Sequence, residues 1–139
     1  MTGADHPAPW WGRYVGLPFG EGTGEITCWG LVCMVYHDML GVTLPAYGEI
    51  SAHDLRRISR AMEAGADDGW AVPVTPGPFD VVLMRGPQGG ARIVHVGILT
   101  EPSQMLHVEA ASHAVTVPLD HWSVRARIAG FRRLDRRQA

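Results

Sequence analysis

The chain has 139 residues, a formal net charge of −2 and 46% hydrophobic residues. That composition fits one globular domain with a single sizeable core, read over 1–139 with an irregular N-terminal arm (1–11) and an Arg-rich tail (134–139). No apolar run approaches the roughly 20 residues of a membrane span, and the negative balance argues against a nucleic-acid partner.

Met1 to Trp11 has no basic segment followed by an apolar stretch, so no secretory signal is expected. Gly16, Pro18, Gly20, Gly22 and Gly24 mark a loop, and no Gly-Lys-Ser/Thr follows to make it a phosphate cradle. A helix is predicted over Cys28–Leu40, capped by Thr27 and stopped by Gly41, with Leu31, Val32, Val35 and Met39 as its apolar stripe. Thr43–Gly48 is a Pro-bearing loop. A second helix is predicted over Ala52–Ala64, capped by Ser51 and ended by Gly65, with Leu55, Ile58 and Met62 buried. Pro73–Pro78 is a further connection.

The second half reads as strands: Val81–Met84, Ile93–Leu99, Met105–Val108, Val115–Val117 and Ala126–Arg133, with Glu101-Pro102-Ser103 as a turn. Helices first and strands afterwards predict an α+β fold, the N-terminal helices packed on a central antiparallel sheet. All twelve basic residues are Arg, as in the coding bias of a GC-rich genome. Arg125, Arg127, Arg132, Arg133, Arg136 and Arg137 alternate with Ile128 and Phe131, as on the solvated face of a strand that runs into a tail.

Cys28 sits between a capping Thr and an apolar helical run, where the helix dipole and free N–H groups favour a thiolate. Cys33, five residues on, points elsewhere and is expected to be buried and inert; the two make no disulfide. His95 lies in a β-branched strand, on one face with Gly97, which leaves room beside it for another group. A hairpin turning about Pro102 puts His107 opposite Gly97 and diagonal to His95. Two imidazoles on one face, facing the helix that starts at Cys28, supply a nucleophile, a base and an orienting group. Zinc would need three or four ligands from Cys28, His95, His107 and His113. They lack tight local spacing, so no metal is expected. His6, His37, His53, His113 and His121 are read as surface or capping residues.

The order of Tyr14-Val15-Gly16-Leu17-Pro18-Phe19, Thr27-Cys28-Trp29-Gly30-Leu31-Val32, Leu44-Pro45-Ala46-Tyr47, Phe79-Asp80-Val81-Val82-Leu83, His95-Val96-Gly97-Ile98 and Met105-Leu106-His107 resembles NlpC-type cell-wall cysteine peptidases of the papain-like superfamily. Trp122 and Gly130-Phe131-Arg132 resemble the branch found in phage tails and gene-transfer-agent particles. The resemblance covers about residues 12–133. It implies Cys28 as nucleophile and, through its N–H, oxyanion donor, His95 as base and His107 as its orienter. It also implies Trp29, Phe19 and Gly97 at the substrate, with no cofactor. The implied reaction is hydrolysis of amide bonds in peptidoglycan stem peptides. The implied setting is a protein made in the bacterial cytoplasm and carried in a phage-like tail tip, against hub or baseplate proteins. Trp10 and Trp11 either dock there or pack on their own domain. A structural tail-tip module with a vestigial site and a Cys–His acyltransferase are the alternatives. The family usually has Asp at the position of Thr27, and often Tyr at that of Phe19.

Overall fold

The computed structural model describes residues 8–44 and 69–134. After a 3-10 turn over Trp10–Arg13 come α1 (Cys28–Leu40), β1 (Trp70–Ala71), β2 (Val81–Gly86), β3 (Gly89–Glu101), β4 (Gln104–His107), β5 (Val115–Pro118), a 3-10 turn over Arg125–Arg127 and β6 (Ile128–Leu134). The six strands form one sheet in the order β1-β6-β2-β3-β4-β5, and every pairing is antiparallel.

The expected architecture holds in its sheet and in α1, while only one α-helix lies among the described residues. The helix expected over 52–64 falls outside them. Helix α1 begins and ends where its capping residues dictate. Thr27 accepts a hydrogen bond from the Gly30 amide at 3.1 Å, and Gly41 closes the helix at φ 66°, the left-handed conformation glycine tolerates. Strand β3 starts earlier than its hydrophobic pattern suggests, because the chain reverses over Pro87-Gln88 and pairs Gly86 with Gly89, with Gly89 and Gly90, both at positive φ, taking up the register shift. The two-residue β1 gives no period-two signal and was not expected.

The sheet has an apolar cluster on each face, and strand alternation assigns residues to them. Val81, Leu83, Val96, Ile98, Leu106 and Val108 pack with Leu31, Val32 and Val35 of α1. Val82, Met84, Leu99 and Met105 pack on the opposite face with Val117, Val124, Leu119, Ile128 and Phe131. The turn at Trp10–Arg13 closes onto the first cluster: Trp10 stacks on Phe79 at 4.6 Å, and Trp10 and Trp11 both pack against the core. Their apolar rings therefore serve this domain.

Two Arg of the C-terminal cluster are structural partners: Arg127, 13% exposed, departs from the expected solvated face, while Arg133 stays half-exposed. Arg133 grips the buried Asp80 carboxylate through Nε and Nη2, each at 2.8 Å. Arg127 is held near β2 by its Nε bond to the Arg85 carbonyl at 2.9 Å.

Candidate functional site

Cys28 is the first residue of α1 and is 3% exposed. The Thr27 cap fixes this helix tip, and Gly30 permits it, since a Cβ there would sit 3.0 Å from Thr27 Oγ1. Burial pushes the thiol pKa up; the N–H groups of Val96, Trp29 and Cys28 itself, aimed at sulfur, pull the other way without reversing it. The negative charge of Glu109 adds to the rise. The resting sulfur is thus a neutral thiol, and burial overrides the helix terminus that the sequence suggested would favour thiolate. Cys33 is half-buried, not fully buried as expected, and burial raises its thiol to about 11.

The β3–β4 hairpin brings His95 and His107 together. Ile98 pairs with Leu106 and Leu99 with Met105, the register that sets Gly97 opposite His107. A bulge between Leu99 and Glu101 shifts the pairing only at the tip. His95 Nε2 lies 2.9 Å from His107 Nδ1, with the rings edge-to-face at 67°. Both residues are 6% exposed. Burial pulls His95 down to about 3, assisted by His107 and the Arg127 cation. Burial also lowers His107, opposed by Glu109 and assisted by Arg127. Both imidazoles rest neutral.

The two rings share a face, but it is not the face that α1 covers. His95 pairs with Met84, and Gly97 with Val82, both members of the cluster opposite α1. Cys28, at the tip of α1, and His95, beyond the Ile98–Leu106 pair where the β3–β4 ladder ends, open onto the same groove. The two residues line one groove of about 390 Å³, with Phe19, Pro87, Val94, Glu109, Ala110 and Arg127. His107 bonds to His95, which lines the groove.

Of the residues expected at the substrate, Phe19 lines this groove. Its loop is laced in place by Phe19 N–H to the Ser112 carbonyl at 2.9 Å and Ile26 N–H to the Pro18 carbonyl at 2.8 Å. Trp29 is corrected to a core residue, 5% exposed and packed in the α1 cluster. Gly97 is also corrected: it is buried, and the room it leaves is taken by Met105 and His107. Its small size seats the second imidazole and leaves no surface for substrate.

Glu109 and Arg127 were not singled out from the sequence. Glu109 Oε1 lies 3.9 Å from His95 Nε2 and forms an ion pair with Arg127 Nη1. The signal for Glu109 was available, since it continues the alternation of Met105 and His107. Arg127 was hidden in a charge cluster that reads as solvated.

His95, His107 and Glu109 place candidate ligand atoms within 4.8 Å of one another. The two imidazoles already satisfy each other, and the Arg127 guanidinium sits on the Glu109 carboxylate, where it opposes a second cation. The cluster reads best as a hydrogen-bonded network. His113 is exposed, bridges to Pro18 and takes no part. His37 and His121 are also exposed, while His6 and His53 lie outside the described residues.

A buried thiol at a helix tip thus shares a groove with a paired imidazole, the two residue types that cysteine nucleophilic catalysis uses. The NlpC/P60 family pattern matches residues 16–133, and the chain belongs to that family, whose members are generally cysteine peptidases. No curated protein matches the sequence. Among solved structures, a lipoprotein-like NLP/P60 family protein from Staphylococcus aureus subsp. aureus Mu50 is similar at 20% identity and TM-score 0.59, over 88% of this chain and 38% of that one. An NlpC/P60 family protein from Bacillus cereus ATCC 10987 is similar at 21% identity and TM-score 0.58, over 88% of this chain and 37% of that one. The NlpC/p60 domain of the peptidoglycan hydrolase SagA is similar at 18% identity and TM-score 0.51, over 86% of this chain and 88% of that domain. These likenesses establish the fold. The chain spans under two-fifths of the length of the first two. No helix among the described residues is long and apolar enough to cross a membrane.

Proposed function

We propose that the protein is a cysteine peptidase that hydrolyses amide bonds of peptidoglycan stem peptides. The observation that carries this reading is the groove shared by Cys28 and His95, with His95 Nε2 held 2.9 Å from His107 Nδ1. That bond leaves Nδ1 of His95 to exchange a proton with the thiol. The Cys28 proton passes to His95 and sulfur attacks the scissile carbonyl. The amide N–H groups at the helix tip receive the developing oxyanion. The imidazolium then protonates the departing amine as the C–N bond breaks, and water releases the acyl group from sulfur.

The cell-wall substrate is supported by family membership and by the likeness to the SagA domain, a peptidoglycan hydrolase. Delivery in a phage-like tail tip, against hub or baseplate proteins, is supported by the ordered motifs that end in Trp122 and Gly130-Phe131-Arg132. A second reading, a structural module with a silent site, is favoured by one observation: burial holds both the thiol and the imidazoles neutral at rest. One experiment separates the two readings. Purified protein and its Cys28→Ala variant are incubated with murein and with defined stem peptides, and the products are analysed by mass spectrometry. Cleavage by the native chain alone supports the peptidase. Intact substrate with both proteins supports the structural module.

A further inference from the structure

Arg127 is the groove's fixed cation. Its side chain is 13% exposed, and its Nε is tied to the Arg85 carbonyl at 2.9 Å. Glu109, its present counter-ion, is 41% exposed and stands 3.9 Å from His95 Nε2. Both line the groove with Cys28 and His95. A largely buried guanidinium keeps its site while a half-exposed carboxylate on it can be exchanged for another, because the pairing geometry is the same for any carboxylate.

We propose that Arg127 is a specificity-determining residue that takes a carboxylate of the substrate, and that Glu109, displaced from it, becomes the positioning charge for protonated His95. This rests on the peptidase reading of the same groove. Three groups act on His95, namely His107 from β4, Glu109 just past β4 and Arg127 from the turn before β6, and Cys28 from α1 lines the same groove. At rest the Arg127 and Glu109 charges oppose each other's effect on the imidazole. Once a substrate carboxylate neutralises Arg127, the Glu109 charge is uncompensated. The proton leaving Cys28 sulfur for His95 Nδ1 then yields an imidazolium whose Nε2–H faces His107 Nδ1 beside that carboxylate. No atom is gained or lost: the thiol proton has moved to the ring. The resting neutrality of the site becomes a substrate requirement.

The test uses full-length Cys28→Ala protein and two stem peptides that differ only in a free carboxylate or a carboxamide beside the scissile amide. Calorimetry is expected to show about tenfold tighter binding of the carboxylate peptide, lost on Arg127→Gln and kept in order by Arg127→Lys. In the complex with the carboxylate peptide, the NMR titration of the His95 ring is expected to lie at least about half a pH unit higher than in Glu109→Gln with the same peptide bound. Equal binding of both peptides overturns the Arg127 assignment, and a His95 titration in the bound complex that Glu109→Gln leaves unchanged overturns that of Glu109. Neither readout needs turnover. Preferential binding without cleavage by the native chain therefore refutes the peptidase reading and leaves the carboxylate site standing. Cleavage without preference does the reverse.

Discussion

His95 Nε2 and His107 Nδ1 face each other at 2.9 Å across the β3–β4 hairpin, so the ring that shares a groove with Cys28 is oriented by a second neutral imidazole. Removing His107 leaves a buried ring nitrogen without its partner and frees the His95 ring to rotate. His107→Ala is expected to lower kcat about a hundredfold, with much less effect on KM. His107→Gln, which restores a polar partner, is expected to recover part of that loss. Steady-state kinetics on a stem peptide checks both.

The buried imidazole also sets a pH dependence of stability. His95 is pulled from 6.5 to about 3 in the folded protein. Between those values the unfolded chain binds a proton that the folded chain refuses. Stability therefore falls as pH drops through that window, by at most about 1.4 kcal/mol per pH unit from this group, and the penalty vanishes above it. Urea unfolding from pH 7 to pH 4 is expected to show that fall. His95→Gln should flatten the curve relative to the native chain.

Much of this was legible because the deciding interactions are local. Thr27 and Gly41 bound a 13-residue helix by cap chemistry, and period-two alternation put His95 and His107 on one face. What was not legible depends on tertiary neighbours. Trp29 follows the thiol in sequence, yet helical geometry turns it into the core. Gly97 left room as expected, but His107 and Met105 fill it. The choice of sheet face is set by which cluster α1 covers, and no pattern within one strand reports that. Arg127 and Glu109 lie 18 positions apart and gain meaning only as a pair.

The cap itself is testable. Thr27 Oγ1 accepts from the Gly30 amide at 3.1 Å. Thr27→Ala is expected to cost about 1 kcal/mol, read by thermal unfolding. Thr27→Asp keeps an acceptor at the same place and should leave stability nearly unchanged.

Beside the C-terminal half of α1, in a cavity it lines with Tyr36 and Leu40, Asp80 is 1% exposed and receives Arg133 Nε and Nη2 at 2.8 Å, with the Gly77 amide also at 2.8 Å. Arg133→Ala strands a buried carboxylate. The Arg side chain is half-exposed, so water can enter the vacated space and reduce the penalty. A loss of about 2 kcal/mol in urea unfolding is expected. Asp80→Asn with Arg133→Ala should lose less than the single Arg133 variant, since no buried charge remains.

Gly97→Ala ties the fold to the site. A Cβ at Gly97 would lie 3.0 Å from Met105 Sδ, 3.2 Å from His107 Cβ and 3.2 Å from the Leu106 carbonyl oxygen. The thioether can swing aside, whereas the carbonyl belongs to the backbone of β4 and can move only with the strand. Relief therefore pushes β4 away from β3 and carries His107 off His95. A destabilisation of about 1–3 kcal/mol is expected from the overpacking alone. Activity should fall further than stability accounts for, because the 2.9 Å contact between the rings is the first to open. The check is kcat at a temperature well below the variant's Tm, with the folded fraction verified by circular dichroism. Full kcat in a folded Gly97→Ala protein would mean that His95 keeps its orientation without this hairpin geometry.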